Sequence, residues 1–378
     1  MSKQKIIALE YIRGISMLGV VGIHTGAYSL SNPSVNVHLF ALLDVLTRFS
    51  VPIFFFVSAF GLFINHNIQS KLNYVTFTIR RSRTVLLPYI VWSLLYMVLY
   101  TLINHDMSIW AAPLLYEFLC FGLASCQLYF LVILLWFYTL MPVWRFMVCR
   151  IIKHPLRDLG ILLLLQIIFN YYSSYVLKVD VSNHYLSKLL SYRLNYWVLH
   201  YLFIFLLGAV CAIKYADFEQ LITRYQRHIK FFFYITLSGM LALYYYLLYV
   251  NHCSPEQAVN IDHQLSPIGV LYTLATTLYL FMIFDKNKMP SIVKIILASL
   301  GKHSYLVYLV HPLIMYYLFE YLTIYNIVMS APIVIGFYLL TIIISLAFAM
   351  FIQEINKFMP IIGLLLAGTK GPRKKSGV

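Results

Sequence analysis

An arginine and a histidine stand inside the first apolar stretch of the chain, Ala8-Leu-Glu-Tyr-Ile-Arg13-Gly-Ile-Ser-Met-Leu-Gly-Val-Val-Gly-Ile-His24. At 100° per residue the steps between them turn about 1100°, roughly three turns plus 20°, so on a helix both side chains share one face about 16 Å apart. A charged or titratable group at that depth in hydrocarbon costs about 2.5 kcal/mol or more and usually faces a bundle interior or a wet cavity. A membrane helix that carries such a pair makes room for chemistry, and imidazole suits general-base work near neutral pH.

Two further segments combine polar and apolar residues in the same way. Phe77-Thr-Ile-Arg80-Arg81-Ser-Arg83-Thr-Val-Leu-Leu-Pro88-Tyr89 sets three guanidiniums within four residues, and each offers a planar fork of donors that matches phosphoryl oxygens. The plainer reading is a topological anchor. Leu300-Gly301-Lys302-His303-Ser304-Tyr305-Leu-Val-Tyr308-Leu-Val-His311-Pro312 places His311 eight residues past His303, well inside an apolar helix. A buried histidine is more often a hydrogen-bonded structural residue than a catalyst, so His311 ranks second, together with Glu10, Ser304 and Tyr305. Asp44 and Glu117 are the carboxylates nearest by loop position to the outer half of the first helix, and solvated loop positions are the default for both. Ser58, Ala59 and Gly61, after a phenylalanine-rich block, read as small residues for close helix packing. The 32 tyrosines read mainly as interfacial belts, with some able to serve as platforms for sugar rings. The cysteines, Cys120, Cys126, Cys149, Cys211 and Cys253, are odd in number and lack metal-type spacing, so they imply neither a disulfide framework nor a metal site and read as packing residues.

The elements that must position these residues are membrane helices. Hydrophobic residues make up 61% of the 378 and charged residues 11%, where a soluble domain carries about a quarter charged. Apolar runs of spanning length predict ten helices near 6–29, 39–65, 83–104, 127–145, 159–177, 195–213, 230–250, 267–285, 303–321 and 331–352. With that register, 23 of the 28 Lys and Arg fall on the side of the N-terminus and four opposite, Arg48, Lys178, Lys188 and Arg193, with Arg13 inside the membrane. The positive-inside rule then predicts an all-α protein of the cytoplasmic membrane with both termini cytoplasmic. Residues 1–352 read as one polytopic domain and 353–378 as a short basic cytoplasmic tail. The first span reads as retained, because Glu10 and Arg13 interrupt its apolar region and no small-residue cleavage site follows. The net charge of +15 is divided among short loops, which suits an anionic membrane surface rather than nucleic acid.

In order along the chain, these motifs resemble the type-3 membrane acyltransferase family. Leu9-Glu10-Tyr11-Ile12-Arg13-Gly14 followed by His24 is similar to its opening Leu-Asp-x-Leu-Arg-Gly and distant histidine. Pro52 to Phe60 is similar to Pro-x-Phe-Phe-x-x-Ser-Gly-Phe, Arg80 to Tyr89 to the arginine-rich start of helix three, and Gly301 to Pro312 to Gly-x-x-Ser-Tyr-x-x-Tyr-Leu-x-His-Pro. Glu10 replaces the usual aspartate, Ala59 a glycine, and Val85 the usual arginine before the proline, a pattern closer to short bacterial polysaccharide O-acyltransferases. The resemblance implies transfer of an acyl group, acetyl first, from cytoplasmic acyl-CoA to a hydroxyl of a cell-envelope glycan, without a metal. It implies His24 and Arg13 as catalytic residues and Arg80, Arg81 and Arg83 as donor-binding ones. Acyl-CoA, a glycan acceptor and the bilayer are the expected partners, with room for a homo-oligomer or a glycan-synthesis protein. A proton-coupled transporter or lipid-linked glycan flippase would also embed Arg and His, but no inverted repeat or matched pair of broken helices is visible.

Overall fold

Apolar runs in hydrocarbon must satisfy their backbone N–H and C=O groups internally, and every regular element among the described residues is helical. The computed structural model describes residues 6–64, 68, 70–285 and 289–369. Its principal helices are α1 (Ile7–Ser29), α2 (Ser50–Phe63), α3 (Tyr74–Arg81), α4 (Leu87–Asn104), α5 (Tyr129–Thr139) and α6 (Pro155–Tyr171). They continue with α7 (Leu202–Ile213), α8 (Gln226–Tyr249), α9 (Pro267–Asp285), α10 (Ser291–Ile324), α11 (Ala331–Phe358) and α12 (Pro360–Ala367). Eight stretches are long and apolar enough to cross a membrane, and two bent pairs raise the number to as many as ten. The all-α, multi-pass architecture expected from the sequence is therefore present.

Helix α1 is the axis of the bundle. It crosses α10 where neither helix has a side chain in the way: a Cβ on Gly14 would strike the Leu297 carbonyl, and one on Gly301 the Glu10 carbonyl. Helices α2 and α7 meet in the same manner at Gly208, against the Phe56 backbone. An aromatic block of Phe55, Phe130, Phe137, Phe205 and Tyr201 then locks α2, α5 and α7 together, with the Phe137 and Phe205 rings stacked 4.1 Å apart. Helices α6 and α8 show most of their surface, and they form the rim.

Several boundaries differ from the expected ones. The third span begins at Tyr74 rather than 83, because α3 runs into α4 through a π-helical turn, Ser82–Leu86, in which the Leu87 N–H reaches back to the Ser82 carbonyl. Pro88 has no N–H to donate and its ring crowds the preceding turn; the wider π turn accommodates it without ending the helix. The fourth span is bent by 71° between α5 and the helix Met141–Ile151, at Leu140, with Pro142 in the first turn of the second helix. The ninth starts at Ser291 rather than 303, so its glycine lies inside the helix, where it permits the crossing with α1. Residues 353–358, assigned by sequence to the basic tail, complete α11, and α12 folds back to pack on α4 and the π turn, with Trp92 Nε1–H donating to the Leu366 carbonyl at 3.0 Å. The remainder of that tail, 370–378, lies outside the described residues, as do Lys3, Lys5, Lys286 and Lys288.

Candidate functional site

The arginine cluster rides on α3 and the π turn that follows it. Arg81 is held between two rings, its guanidinium carbon 5.4 Å from the Phe77 centroid and 5.0 Å from that of Tyr138. Arg80 and Arg83 are exposed. Three cavities meet around them. A cleft of about 180 Å³ is lined by Lys71, Arg80, Arg81 and Arg145, among others, and Arg145 is fixed there by donating to the Ile68 and Ser70 carbonyls. A second of about 180 Å³ lies between Arg80, Arg83 and the α12 end, Leu364 and Gly368. The third, about 280 Å³, runs into the bundle and brings Arg13 and Arg81 together with Ser58, Tyr138, Ser304, Tyr305 and Tyr308. Arg81 lines both the first cleft and the third cavity, so it stands at the doorway between them.

Arg13 enters the inner cavity because α1 turns that face toward α2 and α10. Gly61 leaves room for it, its missing Cβ position lying 3.7 Å from an Arg13 terminal nitrogen. Glu10, one turn earlier, and Tyr138 bear on it electrostatically. Tyr305 donates to the Val85 carbonyl at 3.4 Å and Ser304 to its own helix at Gly301, 3.0 Å, so Tyr305 ties α10 to the π turn while Ser304 is locally satisfied.

His24 lies farther along α1, beside a different set of groups. Its ring centroid is 5.2 Å from that of His311, which in turn is 5.9 Å from Tyr308 at the inner end of the cavity. His311 is fully buried. Its Nδ1–H donates to the Val307 carbonyl at 3.1 Å, which leaves Nε2 as an unprotonated nitrogen with no partner among the described residues. His24 Nδ1 faces the Cys126 sulfur at 3.6 Å. Cys126 belongs to the loop before α5: Gly122, with φ 69°, ends the helix Leu114–Phe121 in the left-handed region, and the chain returns so that Ser125, Cys126 and Gln127 reach α1 and α10. The Tyr308 hydroxyl donates to the Gln127 carbonyl and holds the loop there.

Beyond His24 lies a second polar group. Asp44, expected as a solvated carboxylate, is buried and paired with Arg48 at 2.5 Å, and both bear electrostatically on His24. Glu117 is paired with Lys188 instead, away from this group. Arg48 also reaches Gln264 at 3.4 Å. Among the described residues neither carboxyl oxygen of buried Asp262 has a hydrogen-bond partner; burial, aided by nearby Asp44 and opposed by Arg48, pushes its pKa up to about 7. Burial and the charge of Arg48 push neighbouring His263 down to about 4.

The structure thus gathers Arg13, Arg81, Ser304 and Tyr305 around one cavity, and His24 and His311 at its far end. Sequence reasoning missed Tyr138 and Tyr308, and it read Cys126 as packing where it is exposed and faces His24. Tyr308 stands one helical turn before His311, which was a usable signal; nothing in the sequence near Cys126 pointed to α1. Among the described residues no cluster of three or more His, Cys, Asp or Glu is placed to hold a metal ion.

No curated protein and no solved structure matches the chain. The family model described as an acyltransferase domain does, over residues 6–350, a segment that runs from the start of α1 into the last spanning helix and takes in every side chain of the cavity. A match of that extent places this multi-pass membrane protein in the acyltransferase 3 family, and the chain is an enzyme that transfers acyl groups.

Proposed function

We propose that the protein moves an acyl group, acetyl in the first instance, from acyl-CoA on the cytoplasmic side of the inner membrane to a hydroxyl of a cell-envelope glycan. The observation that carries this reading is Arg81, which lines both an arginine-rich surface cleft and the inner cavity that holds Arg13 and Tyr308. Lys71, Arg80, Arg81 and Arg145 offer phosphates the forked and point-charge donors they need. The cavity beyond, walled by Phe54, Phe130, Leu134 and Tyr305, fits a slender arm that ends in a thioester. Arg13 is the charged group at that depth, suited to guiding the donor arm deeper along α1 toward His24.

His24 takes the proton from the attacking hydroxyl, and the Asp44–Arg48 pair lies on the acceptor side of it. The 23-to-four distribution of basic residues supports placing the arginine cleft in the cytoplasm. Mass spectrometry of envelope glycans from cells with and without the gene tests the proposal. An ester mass that appears only with the gene, and carries isotope from labelled acyl-CoA precursors, is the expected result; identical glycans from both cells would refute it.

A further inference from the structure

The loop before α5 carries a thiol against His24. Cys126 is exposed, its sulfur lies 3.6 Å from His24 Nδ1, and no disulfide engages it. Next to the His24 ring lies that of wholly buried His311, whose Nε2 has no hydrogen-bond partner among the described residues. The Gln127 amide is turned to the thiol, with Oε1 3.8 Å from Cys126 Sγ and 2.6 Å from Ser125 Oγ. An exposed thiol with an imidazole in reach has the first parts of a nucleophilic site, nucleophile and base, and the open nitrogen of a buried second imidazole stands behind the first.

We propose that Cys126 accepts the acyl group covalently, so that transfer proceeds through a Cys126 thioester. The inference rests on the acyl-CoA donor proposed above. In the first half His24 Nδ1 takes the thiol proton and the sulfur attacks the donor carbonyl; a new C–S bond forms, the bond to CoA breaks, and the CoA sulfur leaves with the proton from His24. One thioester replaces another, so no oxidant or second energy source is required. In the second half the acceptor hydroxyl gives its proton to His24, its oxygen attacks the Cys126 thioester, an ester forms and the thiol is restored. The thiol stands at the far end of the cavity from Arg81, with Tyr308, His311 and His24 in contact between them. An acyl-enzyme there separates the donor from the acceptor in space.

Incubating the purified full-length protein with isotope-labelled acetyl-CoA and no acceptor, followed by acid quench, digestion and mass spectrometry, tests this. Wild type is expected to carry labelled acetyl on the Cys126 peptide, removable by neutral hydroxylamine, with a matching burst of free CoA. Cys126→Ala is expected to lose the burst and to slow transfer by on the order of 10²-fold or more, while CoA binding measured by calorimetry stays within about twofold. Cys126→Ser, which keeps the size of the side chain, is expected to lose the hydroxylamine-labile label. Alanine and serine variants that transfer acetyl near the wild-type rate, or a label confined to another residue, would overturn the thioester and leave the donor reading intact. Wild type that neither labels nor transfers acetyl from acetyl-CoA would overturn the donor reading and the thioester with it.

Discussion

In the proposed transfer His24 is the group through which the proton changes hands, and it lies between the thiol of Cys126 and the buried ring of His311. Replacing it with glutamine keeps a hydrogen-bonding side chain of similar length but removes the base. His24→Gln is expected to lose on the order of 10² to 10⁴ in turnover while donor binding is kept, measured with purified protein and acetyl-CoA; near wild-type turnover would make the imidazole structural. Asp262 gives a second prediction, in stability. Its pKa of about 7 stands above the ordinary carboxyl value, so between about pH 4 and 7 the folded state binds more protons than the unfolded one. Its contribution is full below that window and is lost as pH rises through it. Asp262→Asn, neutral at every pH, is expected to be more stable than wild type at about pH 8, by on the order of a few kcal/mol, and to show little difference at about pH 4. Thermal unfolding in detergent at the two pH values checks this, and an equal difference at both would contradict it.

The element that matters most to the donor is the α3–π turn–α4 segment, because it alone presents all three arginines of the cluster. Replacing Arg81 and Arg83 together with glutamine is expected to raise KM for acyl-CoA by roughly tenfold or more and to change kcat little, since phosphates are held far from the reacting carbon. Unchanged donor affinity in a folded double variant would reduce the cluster to an anchor. This segment also shows what a sequence can and cannot disclose. The arginines were visible because charge beside an apolar run is conspicuous. The start of the helix was misplaced by nine residues, because the polar run from Thr76 to Arg83 interrupts the apolar pattern and nothing local announces that a π turn will join α3 to α4. Gly301 was quoted as part of a motif at a helix start, yet its use is a mid-helix crossing with Gly14, about 290 positions away. Arg13 and His24 were legible because hydrocarbon penalises them wherever they are; Cys126 was not, because a cysteine is cheap to bury and its partner is 102 residues distant.

For the whole molecule the bundle has a mostly buried centre, α1, α2 and α9, and an exposed rim of α6 and α8. The proposed orientation, arginine cleft inside, makes a topological prediction: a reporter fused after Val378 is cytoplasmic, and one inserted near Asn260, in the loop before α9, is external. Finding both reporters on one side would break the arrangement and, with it, the assignment of donor and acceptor to opposite faces.

The returning helix α12 bears on anyone who handles this protein. Its carbonyl at Leu366 receives Trp92 of α4, its end at Gly368 abuts the Thr84 backbone, and Leu364 walls the cavity beside Arg80 and Arg83. Helix α12 is therefore masonry of the proposed donor mouth, and a truncation before it that looks conservative on a hydropathy plot would unroof it. Affinity tags and fluorescent fusions therefore belong beyond α12, joined through a linker that leaves Pro360–Ala367 undisturbed.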